Sequence, residues 1–105
     1  MKRIHLICRN RDGISPISFP TFESRAWDIP EQDAVDLIGG MIHFHETKSE
    51  PSYFGGLVRS FRIEQIDAAH SKRVVFVLES VAEARKVKWS GRSDVNAHYS
   101  GLVEN

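Results

Sequence analysis

Between residues 41 and 65 the chain alternates apolar and polar positions, breaks, and alternates again. In Met41-Ile42-His43-Phe44-His45 an extended backbone places Ile42 and Phe44 on one face and His43 and His45 on the other. A polar stretch, Lys48-Ser49-Glu50-Pro51-Ser52, interrupts the pattern, and a second run starts at Phe54-Gly55-Gly56 and continues to Glu64. The two runs predict a β-hairpin. One face builds core and the other carries two imidazoles; Gly55 and Gly56 mark a bulge or a close backbone approach.

The flanking segments predict the rest of the sheet. Residues 2–9 alternate weakly, with Ile4, Leu6 and Cys8 on one side and His5, Ile7 and Arg9 on the other, which predicts a first strand. Asn10-Arg11-Asp12-Gly13 carries turn chemistry. Prolines at 16, 20 and 30 argue against a central strand near the first two and predict an irregular, partly extended connection that pairs at most at an edge. Pro30 suits the first position of a helix, with Asp28 as the expected cap, Glu31 and Asp33 in the first turn, and Gly39-Gly40 as the stop. Its apolar face, Ala34, Leu37 and Ile38, is short, so packing must stabilise it. Residues 73–79 are apolar on both faces, as in a strand buried on both sides. A polar connection is expected at 66–72, a strand at 86–89, a turn at 91–96 and a last strand at 98–103. Five or six short strands with one or two short helices predict an α+β fold, a small mixed β-barrel.

At 105 residues the chain fits one domain with one core. Cys8 is the single cysteine, so no disulfide forms within the chain, and a reducing, cytoplasmic setting is expected. No apolar run approaches a membrane span or a signal peptide, so no membrane association is expected. Formal net charge is zero, but it is unevenly distributed: +4 over residues 1–11, −6 over 12–50 and +2 over 51–105. Such a chain folds either into ordinary solvated faces or into adjoining basic and acidic patches.

The middle of the chain resembles the PUA-like superfamily, and within it the ASCH and EVE domains. The resemblance runs over roughly residues 20–80: Thr21-Phe22-Glu23-Ser24-Arg25 as the Glu-x-Arg segment, Gly39-Gly40, the strand with His43 and His45, and the strand opening Phe54-Gly55-Gly56. A lysine usual in ASCH sequences is missing around Pro20, and Gly40 stands where an aspartate is usual. The resemblance implies a small barrel with a cleft for RNA, DNA or a modified nucleobase, and it maps a family motif onto Glu23 and Arg25.

Candidate chemistry then divides three ways. A binding module would use Glu23, Arg25, Trp27, His43, His45, Lys48, Tyr53 and Trp89 around the cleft, with Arg85, Lys86, Lys88 and Arg92 meeting the phosphate backbone. A small amidohydrolase-type enzyme acting on a modified nucleoside would draw its acid and base from Lys48 with Glu46 or Glu23. A regulator of a nucleic-acid enzyme would bind its protein partner through the acidic middle segment. The spacing of His43, His45 and Glu50 also resembles the first metal motif of cupins, with His98 available as a fourth ligand. The second cupin motif is absent, so neither a metal nor a cofactor is expected. Each of these residues also has a plain structural use: ion pairing for Glu23 and Arg25, polar surface for the histidines, core for the tryptophans.

Overall fold

A computed structural model describes residues 1–65, 72–91 and 98–104. Among the described residues seven strands form one mixed sheet: β1 (Lys2–Ile7), β2 (Ile14–Ser18), β3 (Thr21–Trp27), β4 (Met41–His45), β5 (Phe54–Gln65), β6 (Lys72–Ser80) and β7 (Val103–Glu104), with one α-helix, α1 (Glu31–Leu37). Their order across the sheet is β2-β3-β6-β5-β4-β1-β7. All pairings are antiparallel except that of β1 with β4, which is parallel and in register from Arg3↔Met41 to Ile7↔His45. A small α+β sheet is therefore observed, with seven strands rather than five or six and β2 and β7 at its ends.

The predicted hairpin of β4 and β5 is present, with Phe44 opposite Phe54 and Ile42 opposite Gly56. Residues 14–27 were expected to be irregular, yet they pair as a hairpin. Pro16 sits on the edge strand β2, where its missing N–H costs no ladder bond, and Pro20 lies in the turn. β3 then follows Pro20 directly and is interior, between β2 and β6. The expected strand at 86–89 is irregular backbone, with Lys86 at φ 61°. The expected last strand reduces to a bridge between Tyr99 and Leu6 and the two residues of β7. The connection predicted at 66–72 lies outside the described residues apart from Lys72, which begins β6, as does the turn at 91–96 apart from Gly91.

α1 begins one residue later than predicted. Pro30 is its N-cap, its carbonyl accepting from the amides of Asp33 and Ala34, while Asp28 approaches Arg73 instead of capping. Gly39, at φ +86°, ends it, and Gly39 and Gly40 exchange backbone hydrogen bonds with Val58. Among the described residues no helix is long and apolar enough to cross a membrane.

The core occupies one face of the sheet. Ile4, Leu6 and Cys8 of the β1 segment meet Ile42, Phe44, Phe54, Val58, Val74, Phe76 and Leu78, with Ala34 and Leu37 of α1 among them. The other face of β1 and β4 is also buried: all five residues of β4 are inaccessible or nearly so. A strap formed by the 3-10 turn Ala82–Ala84 and residues 85–90 covers it. Ser52 fastens the strap: its amide donates to Val87 O and its carbonyl accepts from Lys86 N, while its hydroxyl donates to Ala84 O and accepts from Val87 N.

Gly55 makes this covering possible, because a Cβ there would stand 2.2 Å from the Ile42 carbonyl oxygen and 3.0 Å from Ala84 Cβ. The close approach anticipated from the glycine pair is thus present at Gly55, whereas the bulge of β5 falls at Arg59. Gly55→Ala is expected to lose about 1–3 kcal/mol or more, as overpacking against backbone does. Val35→Ala, on the exposed side of α1, should change stability by less than about 0.5 kcal/mol. Urea midpoints of the two variants check the contrast; equal midpoints would mean that the strap does not bear on Gly55.

Candidate functional site

The in-register parallel pairing sets His5 beside His43 and, one step on, Ile7 beside His45. Alternation on both strands sends His5, His43 and His45 to the same face, under the strap, and all three are fully buried. The His5 and His43 rings stack with centroids 4.7 Å apart, and His5 lies 5.0 Å from His45. The shared face of His43 and His45 follows the sequence pattern. Their burial does not, because the strap converts an expected solvated face into an interior.

Hydrogen bonding fixes the protonation of this cluster. His43 Nδ1 lies 2.9 Å from the Ala84 carbonyl, which can only accept, so Nδ1 carries the proton and Nε2 accepts from the Arg3 guanidinium at 2.9 Å. His45 Nδ1 likewise donates to Glu50 O at 2.8 Å, leaving Nε2 to accept from His5 Nδ1 at 2.8 Å. His5 Nε2 then accepts from the Ser90 hydroxyl at 3.2 Å. Three neutral imidazoles satisfy every bond in the chain of contacts; a further proton would be met by an acceptor only at His5 Nε2, where the Ser90 hydroxyl can turn to accept. Desolvation pushes the histidines down accordingly, His5 to about 3 and His43 to about 4, with the neighbouring imidazoles and Arg3 adding repulsion, and His45 is lowered for the same leading reason.

This wiring decides what the cluster can do. The line Ser90, His5, His45 has the connectivity of a nucleophile, a base and an orienting group. A base that titrates near 3 takes a serine proton poorly, however, and a neutral imidazole cannot stabilise the cation that would form. Metal binding fits no better. The Arg3 guanidinium stands at His43 Nε2, where a cation would have to be, and the Glu50 carboxylate accepts from the Thr47 hydroxyl rather than facing the imidazoles. Among the described residues no group of three or more His, Cys, Asp or Glu side chains is arranged to hold a metal ion.

Trp89 joins the cluster to the surface. Its ring lies 5.6 Å from His5 and edge-on to His45 at 5.2 Å, and the Lys48 ammonium stands 5.8 Å from its centroid. Trp89, Lys48, Lys88, Ser49, Glu50 and Pro51 border a cleft of about 350 Å³. Trp89, Lys48 and Lys88 are thus brought together with His45 behind them. Trp27 lies elsewhere, half-buried on the core face, stacked toward Phe44 at 6.4 Å and donating from Nε1 to Ser24 Oγ. It borders a second cleft, of about 440 Å³, with Cys8, Arg9, Asp12, Arg25 and His98.

The other candidates are engaged in structure. Glu23 and Arg25 do not pair with each other: Glu23 accepts from Arg62 at 2.6 Å and Arg25 binds Glu64, and the Arg62 bond lowers the Glu23 pKa. These pairs link β3 to β5 across β6, where Val75, opposite Arg62, is fully buried. Glu46 accepts from the Asn10 amide at 2.9 Å. Lys48, Glu46 and Glu23 therefore stand on three different partners. Tyr53 donates to the Cys8 carbonyl, with its pKa raised by burial. Arg85 and Arg11 stack over the Phe54 ring at 5.5 and 4.7 Å, and Lys86 is exposed. Of the expected basic string only Lys88 borders the Trp89 cleft, and Arg92 lies outside the described residues. His98 borders the other cleft, apart from His43 and His45. His5 and Ser90 were missed; the placement of His5 opposite Ile4 and Leu6 was visible, but its partner strand was not.

Because the imidazoles titrate below their ordinary 6.5 in the folded chain, the unfolded chain binds more protons between that value and about 3 to 4. Stability is therefore complete above pH 6.5 and is lost on acidification, by up to about 1.4 kcal/mol per pH unit for each histidine. Urea midpoints measured from pH 7.5 to 4 should fall accordingly, and His43→Gln should flatten the slope by about one histidine's share. A flat profile for the native chain would show imidazoles that accept protons without disturbing the fold. No protein-family model, curated protein or solved structure matches this chain.

Proposed function

We propose that this domain is a PUA-like binding module, its sheet curled as a small barrel, that receives nucleic acid or a modified nucleobase in the Trp89 cleft. The observation that carries the reading is the composition of that cleft: an indole braced by two neutral imidazoles, with Lys48 and Lys88 at its border. An aromatic face beside cations suits a planar base joined to phosphate. In the free protein Lys48 lies over the indole. An incoming base takes that place by stacking, and the displaced ammonium meets the ligand's phosphate, so one movement exchanges a cation–π contact for two stronger ones.

The histidines position rather than react. Their neutrality adds no positive charge to the cluster behind Trp89 beyond that of Arg3, and their hydrogen bonds hold the strap in one geometry, which favours binding over the hydrolase alternative. The protein-partner alternative keeps most of its acidic surface, although Glu23 and Glu46 are bonded within the fold.

Trp89→Ala is expected to weaken binding by about 1–3 kcal/mol per stacked base with little change in salt dependence. Lys88→Ala should weaken it for all sequences and reduce the slope of log affinity against log salt by about one phosphate contact. Fluorescence titrations with RNA, DNA and nucleosides at low and moderate salt read both effects. Absence of any binding at low salt would end this reading in favour of a protein partner.

A further inference from the structure

The carboxylate on the border of the Trp89 cleft is that of Glu50. This residue is exposed, yet it is held at three points. Its amide donates to Thr47 O at 3.4 Å, its carbonyl accepts from His45 Nδ1 at 2.8 Å, and its Oε1 accepts from the Thr47 hydroxyl at 3.0 Å. That hydroxyl, having given its proton to Glu50, accepts from Ser49 Oγ at 3.1 Å. Pro51 follows and narrows the backbone freedom of Glu50 further. An exposed glutamate ordinarily keeps its rotamers; this one has been positioned.

Its position is tied to that of the indole. The imidazole that binds the Glu50 carbonyl is the one lying edge-on to Trp89, with ring centroids 5.2 Å apart. One ring therefore spans the gap between the indole and the Glu50 backbone, and both residues border the same cleft. Thr47 engages one lone pair of the carboxylate, and the others on its two oxygens still accept.

A fixed carboxylate beside a stacking surface discriminates among bases. Guanine presents two adjacent donors on its Watson–Crick edge, N1–H and N2–H, which match the two oxygens of a carboxylate. Adenine and cytosine present an amino donor next to a ring-nitrogen acceptor, and uracil presents one N–H between two carbonyls. Each of these three sets a lone pair against the carboxylate. A cationic ligand would also suit an indole and an acid, but Lys48 and Lys88 on the same border repel it.

We infer that the Trp89 cleft selects guanine: the base stacks on the indole, its N1–H and N2–H donate to the Glu50 carboxylate, and the nucleotide's phosphate meets Lys48 and Lys88. This rests on the binding reading above and goes further by naming the base and the side chain that reads it.

Calorimetric titration of the whole chain with the monophosphates of guanosine, inosine, adenosine, cytidine and uridine, at one salt concentration, tests the inference. Guanosine monophosphate should bind about tenfold or more tightly than the adenosine, cytidine and uridine nucleotides, as a bidentate pair discriminates. Inosine monophosphate, which lacks the N2 amino group, should fall between. Glu50→Gln, a change of nearly equal shape at an exposed position, should bring guanosine monophosphate down to the affinity of adenosine monophosphate and leave the latter unchanged. Equal affinity of the native chain for guanosine and adenosine monophosphates, or a guanine preference that survives Glu50→Gln, would overturn the inference and leave an unselective base site at Trp89. Binding of none of these nucleotides would overturn the binding reading and this inference with it.

Discussion

The parallel, in-register pairing of β1 with β4 is the constraint on which the rest of this structure depends. A parallel pair has to be connected by a long crossover, and here the hairpin of β2 and β3 and the helix α1 provide it. The crossover leaves both strands inside the sheet and covered on both faces. On the core side this brings Ile4 and Leu6 against Ile42 and Phe44, an ordinary apolar contact. On the other side the same register brings His5 against His43, with His45 one pair along. Sliding β1 by one residue would send His5 into the hydrocarbon core and Ile4 against the imidazoles, so the apolar pattern and the polar network enforce the same register.

A buried polar cluster of this kind is stable only when each donor and acceptor has a partner, since an unpaired one costs about 1–3 kcal/mol. Among the described residues no buried side-chain nitrogen or oxygen lacks a hydrogen-bond partner. The partners come from distant parts of the chain: Arg3 before β1's histidine, Ala84 and Ser90 in the strap, and Glu50 in the hairpin loop. The cluster thus does for the strap what an apolar core does for a helix, but with directional bonds. Trp89 inherits its position from those bonds, and the shape of the cleft follows from hydrogen bonding two shells beneath it.

Much of this was legible in the sequence, and the losses have physical causes. Alternation in residues 41–45 carried the strand, the shared face of the histidines and the hairpin, because period two is a local property. The stop at Gly39-Gly40 was legible for the same reason. Burial of the histidine face was not, because it depends on a strap some forty residues further on that forms no regular element and leaves no periodic trace. β3 was obscured by Pro20, whose ring forbids a ladder bond at its own position but not at the next residue. Glu23 and Arg25 were correctly seen to be an acid and a base two residues apart, yet their partners, Arg62 and Glu64, are two residues apart on β5, and only the sheet order aligns the two pairs. His5 needed the same knowledge: a histidine in a weakly alternating strand gains meaning only when its neighbour strand is known.

The charge distribution makes a related point about how a neutral protein can present a positive site. Segment totals along the chain place most acids between residues 12 and 50, and three of them are held in surface contacts within the chain: Glu23 on Arg62, Glu46 on a backbone amide, Glu50 on a threonine hydroxyl. On the far face, Arg59 with Glu79 and Arg25 with Glu64 close further pairs. Ion pairing is therefore concentrated on the outer face, whereas Lys48 and Lys88 border the cleft beside the Trp89 ring. Screening at physiological salt limits a charge's reach to about 8 Å. At that range a charged group in the Trp89 cleft would sense the side chains bordering it and not the sum over the chain, so net neutrality leaves local attraction intact and removes only the long-range steering that a basic protein would have.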